Sequence, residues 1–205
     1  MERSLAVILV PGIFDNEKRM RGLAGFLQKA GWQTRVISPQ PSDGSRGLEV
    51  MAWELARQLA AEFPASQPLA LVGFSMGGLI CRCYLQQLGG NLRTRQLITL
   101  STPHNGTYSS YLFNRPATIQ MRPGSQFLRE LNRDLSMLES ISFTSIWTPR
   151  DITIMPSESS RLPVGRMLQI PTLIHHFVVE DRRVWSAVRD ELQRWEDGEV
   201  GGIGG

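Results

Sequence analysis

Ser75 stands in the run Gly73-Phe74-Ser75-Met76-Gly77, between the apolar stretch Leu69–Val72 and a second apolar stretch from Gly78 to Leu85. The first is short enough for a buried strand and the second reads as the opening turns of a buried helix. A serine at the tip of a sharp strand-to-helix turn is held in strained backbone with its hydroxyl exposed, as a nucleophile requires. Glycines on either side keep Cβ atoms away from the neighbouring strand and helix. Met76 opens the helix, where its N–H has no intrahelical partner and is free to stabilise an oxyanion. The chemistry this predicts is acyl transfer to serine.

A serine hydroxyl needs a base to take its proton and an acid to orient the base. After a turn of this kind the partners follow in the order acid, then histidine. The chain has three histidines, His104, His175 and His176. His104 comes too soon after the serine, which leaves the adjacent pair near the C-terminus. Of the aspartates between, Asp134 falls within a predicted helix, Ser125–Leu138, on its solvent side. Asp151 follows the strand Ser142–Trp147 in a loop at the carboxyl edge of the sheet, where ligands bind in open α/β folds. Asp151 is therefore the favoured acid, with Glu158 a weaker candidate nearby. The turn Val10-Pro11-Gly12-Ile13-Phe14 after the first strand supplies a second oxyanion donor, the Ile13 N–H, with Phe14 as a pocket wall. Pro11 has no N–H to offer.

These residues must be positioned by alternating elements. Strands are expected at Leu5–Val10, Thr34–Ser38, Leu69–Val72, Gln96–Leu100 and Ser142–Trp147. Helices are expected at Lys18–Ala30, Leu48–Phe63, after Ser75, at Ser125–Leu138 and at Asp181–Trp195. Such alternation implies a mainly parallel sheet covered by helices on both faces, in one α/β domain over residues 1–197, with a flexible glycine-rich tail over 198–205. The segment Tyr108–Met121 has no clear period and is long for a connection, so it reads either as a short cap on an acyl pocket or as a passive loop.

The chain has 205 residues, 41% hydrophobic and 20% charged, with a net charge of +3. Acidic and basic residues alternate, and no arginine or lysine block carries interleaved aromatics, so nucleic acid is not the expected partner. The N-terminal apolar run is too short for a signal peptide and passes straight into Pro11-Gly12, so it reads as a strand. No stretch approaches the length of a membrane span. Cys81 and Cys83, two apart on a helix, point away from each other and read as core thiols, consistent with a cytoplasmic setting. Three histidines without paired carboxylates or cysteines offer no metal site, and no cofactor is expected.

Taken together, the chain resembles the lipase/esterase group of the α/β-hydrolase superfamily, in particular small bacterial lipases with a minimal cap. The resemblance rests on Val-Pro-Gly-Ile at 10–13, Val-Gly-Phe-Ser-Met-Gly-Gly at 72–78, Ser-Thr-Pro-His-Asn-Gly-Thr at 101–107, Pro-Gly-Ser-Gln-Phe-Leu at 123–128 and Ser-Ile-Trp-Thr-Pro-Arg-Asp at 145–151. It implies Ser75 as nucleophile, Asp151 as acid, His176 as base, and Ile13 and Met76 as oxyanion donors, acting on a small-molecule or lipid acyl ester; acyl transfer by the same triad and a non-catalytic binding protein of the same fold are the alternatives. Phe14, Phe74, Tyr108 and Tyr111 are the expected substrate contacts. Pro11 replaces a histidine usual in such lipases, and Phe74 replaces one found in some, making the pocket more apolar. By the same likeness the turn around His104 is architectural.

Overall fold

A computed structural model describes residues 3, 5–172 and 174–198; the expected tail at 199–205 lies outside the described residues. Six strands form one sheet in the order β2-β1-β3-β4-β5-β6, and every neighbouring pair is parallel. The strands are β1 Ala6–Val10, β2 Gln33–Val36, β3 Leu69–Phe74, β4 Thr94–Leu100, β5 Ser142–Trp147 and β6 Arg166–Gln169. Parallel strands need crossovers, and helices supply most of them: α1 Arg21–Lys29, α2 Leu48–Glu62, α3 Met76–Gln87, and the short α4 Pro116–Gln120, α5 Gln126–Arg133 and α6 Ser136–Glu139 between β4 and β5. A last helix, α7 Arg182–Glu196, follows β6.

The central strands are buried along their whole length, which is why β1 and β3 read as unbroken apolar runs. Side chains alternate along β1: Ala6, Ile8 and Val10 face a core shared with α2 and α3, while Val7 and Leu9 face a second core shared with α1 and α7. The chain leaves β1 toward β2 and returns to β3 on the other side. The sheet order therefore reverses between β1 and β3, and the crevice beyond their carboxyl ends is where such folds bind ligands.

Three expectations are corrected. The helix expected over 18–30 begins as a 3-10 turn, Glu17–Met20, capped by the Asn16 side chain. The helix expected over 125–138 is two helices, because Asp134 leaves the helical conformation and its carboxylate instead accepts the Ser136 N–H at 2.9 Å. The edge strand β6, three of whose four residues are exposed, adds a strand to the five expected, and it carries no apolar run to mark it in the sequence.

Candidate active site

β3 ends at Phe74 and α3 begins at Met76, so Ser75 alone forms the turn, at φ 52° and ψ −122°. A non-glycine residue in that region costs on the order of 1–3 kcal/mol and is retained only where its surroundings enforce it. Here they do. The Ser75 N–H donates to the Leu100 carbonyl at 2.8 Å and the Gly78 N–H donates back to the Ser75 carbonyl at 3.1 Å. Gly77 lies against the end of β1, where an added Cβ would overlap the Val10 carbonyl and reach 2.5 Å from the Pro11 oxygen. Glycine is the residue that lets the helix meet the strand this closely.

The loop after β1 comes equally close. A Cβ on Gly12 would lie 3.1 Å from Ser75 Cβ and 3.4 Å from the Phe74 ring. Phe14, at φ 60°, turns the loop, and its N–H is taken by the Ser42 carbonyl at 2.8 Å. Among the described residues no hydrogen bond uses the Ile13 N–H, so this donor stands uncommitted in the loop beside the Ser75 turn. Met76 is wholly buried at the first position of α3, where helix geometry leaves its N–H without an intrahelical acceptor.

Asp151 lies four residues beyond β5 and is buried. Its Oδ1 accepts the N–H groups of Thr153 and Ile154, both at 2.9 Å, and this fixes the carboxylate plane. Its Oδ2 meets Nδ1 of His175 at 2.7 Å, with both side chains almost fully buried. A carboxylate only accepts, so Nδ1 carries the proton and Nε2 is left to accept one. His175 also packs its ring on Phe74, centroids 4.8 Å apart, beside the serine.

The histidine paired with Asp151 is therefore His175, not the expected His176. Both lie in a 3-10 turn, His175–Val179. His175 shares the inward side with buried Val178, while His176 and Phe177 face solvent. His176 touches the site from its rim, its ring edge-on to His175 at 5.9 Å. The flanking sequence carries no signal for this choice, because the turn that makes it has no helical or strand period.

Ser75 and His175 open into a cavity of about 370 Å³, within the range of small-molecule sites. Phe14, Leu112, Phe113, Ile152 and Met155 form its apolar walls. Phe14 and Phe74 line it as expected, but Tyr108 and Tyr111 do not. They lie three apart on the 3-10 turn Tyr108–Leu112, so they stack on one another on its outer side, with centroids 6.4 Å apart. Ser109, Ser110, Leu112 and Phe113 line the cavity instead. Segment 108–121 is thus a short cap, made of that turn and α4, and not a passive loop. Thr107 pins it: its hydroxyl donates to the Thr153 carbonyl at 2.8 Å and accepts the Met155 N–H at 2.9 Å. The Tyr108 N–H donates to the Met155 carbonyl at 2.9 Å.

His104 takes no part in this pocket. It is fully buried between Arg82, whose Nη1 approaches its Nδ1 at 3.3 Å, and the Thr99 hydroxyl, 3.1 Å from Nε2. Burial, and next the Arg82 charge, hold its pKa well below the ordinary imidazole value. Arg82 is itself buried without an acidic partner among the described residues, and burial pushes its guanidinium down to about 9. Its Nη2 donates to the Leu131 carbonyl at 2.9 Å, tying α3 to α5. Cys81 and Cys83 are buried free thiols whose pKa values burial raises, that of Cys83 to about 12. Among the described residues no group of three or more His, Cys, Asp and Glu could hold a metal ion, and no helix is long and apolar enough to cross a membrane.

Comparison with known proteins agrees with this architecture. No curated protein matches in sequence. Among solved structures, the mature lipase BlEst2 of Bacillus licheniformis superposes with a TM-score of 0.74 at 14% identity, covering 92% of each chain. Lipase B of Aspergillus fumigatus gives 0.77 at 19% identity over 93% of this chain and 52% of its own. Tomato methylketone synthase I, solved with 2-tridecanone, gives 0.69 at 11% identity over 94% of this chain and 99% of its own. At such identities the likeness establishes the α/β-hydrolase fold. The sequence profile of palmitoyl protein thioesterases matches residues 6–126, more than half of the chain and the part that carries β1, the elbow and the cap. The chain belongs to the palmitoyl protein thioesterase family.

Proposed function

We propose that the protein hydrolyses acyl esters, thioesters included, through an acyl-enzyme on Ser75. The observation that carries this is the buried His175–Asp151 pair at 2.7 Å, opening into the same apolar cavity as a serine held at positive φ. Asp151 fixes the His175 tautomer, so that Nε2 takes the Ser75 proton as the oxygen attacks the substrate carbonyl. The N–H groups of Ile13 and Met76 receive the charge on the tetrahedral oxygen. His175 then returns the proton to the departing alcohol or thiol. A water molecule, deprotonated by His175, repeats the attack and frees the acid. The apolar walls take the acyl chain, and a family named for palmitoyl thioesters supports a thiol leaving group.

The test is turnover of matched oxyester and thioester substrates, together with fluorophosphonate labelling, by the protein and its Ser75→Ala variant. Loss of both in the variant is expected. Labelling that survives the substitution refutes the assignment.

A further inference from the structure

Asp15 follows the oxyanion loop and lines the cavity beside Ser75 and His175, yet the mechanism above makes no use of it. Its two oxygens differ. Oδ1 accepts from Arg19 Nε at 2.9 Å, and Arg19 also reaches Glu180 at 2.9 Å, so this oxygen is anchored from outside the pocket. Oδ2 is buried and has no hydrogen-bond partner, in a residue only 8% exposed. Its position is defined by Gly12: the place a Gly12 Cβ would occupy is 3.3 Å from Asp15 Oδ2 and 3.1 Å from Ser75 Cβ. A carboxylate oxygen is thus held bare, in a residue that lines the same cavity as the nucleophile.

That arrangement is costly unless something completes it. A buried acceptor with no donor forfeits the hydration it had in water. A negative charge beside a forming oxyanion also opposes the reaction, and more strongly in a dry, apolar site. Both penalties are relieved when a substrate brings an O–H or N–H to Oδ2. A substrate with a carboxylate there would meet repulsion.

We infer that Asp15 Oδ2 is a specificity-determining acceptor, which selects acyl substrates bearing a hydroxyl or amide hydrogen close to the scissile carbonyl. The inference rests on the proposed hydrolysis at Ser75. The donor has two possible sources, the acyl part or the leaving group, and the Asp15 chemistry is the same for both.

The experiment compares four neutral esters. One pair shares its alcohol and carries either a 2-hydroxyacyl or a 2-methoxyacyl group. The other shares its acyl group and has a 2-hydroxyethyl or 2-methoxyethyl leaving group. Each methyl ether keeps the oxygen and removes the donor. In at least one pair the wild-type protein is expected to favour the hydroxyl by about tenfold to a hundredfold in kcat/KM, the range for a hydrogen bond to a charged partner. The pair that responds identifies the source. In Asp15→Ala that preference falls to near unity, and in Asp15→Asn, whose amide oxygen must stay on Arg19 Nε so that an NH2 donor replaces Oδ2, it is lost as well. A residue that merely braced the loop would lower both members of a pair alike and leave their ratio standing. Equal rates within both pairs for the wild type overturn the inference without recourse to any variant, as does a preference that survives in Asp15→Ala. Turnover that persists in Ser75→Ala refutes the proposed mechanism instead, which keeps the two failures apart.

Discussion

Replacing Asp151 by asparagine isolates the orientation of the base from everything else in the site. Oδ1 of Asp151 faces two backbone N–H donors, from Thr153 and Ile154. In the variant the amide oxygen must take that place, because an NH2 group there would confront both donors. The amide nitrogen then points at His175 Nδ1, 2.7 Å away in the native pair, and donates to it. The imidazole is forced to carry its own proton on Nε2, the nitrogen that has to accept the serine proton. Packing and loop geometry survive while the tautomer is wrong. An aspartate-to-asparagine change of this kind costs about 10⁴-fold in kcat, or about 5.5 kcal/mol of transition-state stabilisation. Steady-state hydrolysis of an activated ester, with thermal unfolding as the control for folding, gives the number directly. His175→Ala and His176→Ala complete the set: the first is expected to match the loss in Asp151→Asn within about tenfold, the second to stay within about tenfold of the wild type, since residues acting as a unit are not additive. Asp151→Asn activity within tenfold of the wild type, or a His176→Ala loss as deep as that of His175→Ala, refutes the assignment of the base.

Other expectations concern the scaffold. Gly77→Ala drives a methyl group into the Val10 carbonyl, so β1 and its loop must move away from the elbow. A loss of at least about 2 kcal/mol in urea unfolding is expected, with reduced turnover as Ile13 shifts; native stability in that variant contradicts the close-packing argument. His104 is held neutral in the folded state, its pKa depressed below 6.5, whereas the unfolded chain takes up the proton. Its contribution to stability is present above pH 6.5 and is lost as the pH falls, with a limiting slope of about 1.4 kcal/mol per pH unit. Chemical denaturation between pH 7 and pH 5 therefore declines less steeply for His104→Gln than for the wild type, and equal slopes count against the buried neutral imidazole.

The sequence made the centre of the fold readable because β1, β3 and β5 are buried on both faces and have no alternation to disguise them. The tight turn at Ser75, the buried Asp151 and the close-packed loop after β1 followed from their places after those strands. What escaped lies at the periphery, where burial no longer dictates residue type. Strand β6, Arg166-Met167-Leu168-Gln169, pairs with β5 through its backbone and shows only edge-strand chemistry. Asp134 interrupts a run that looks helical, through a side-chain bond no periodicity encodes. The choice between His175 and His176 depends on the phase of a single 3-10 turn. Likewise the tyrosines of the cap point outward because a period of three, not 3.6, governs the segment.

The Thr107 clasp has a kinetic corollary. The hydroxyls of Thr107 and Ser109 and the amides of Tyr108 and Met155 join the cap to the loop that carries Asp151, so the two walls of the pocket are tied to each other. The amide hydrogens of Tyr108 and Met155 should exchange with solvent in a single correlated opening.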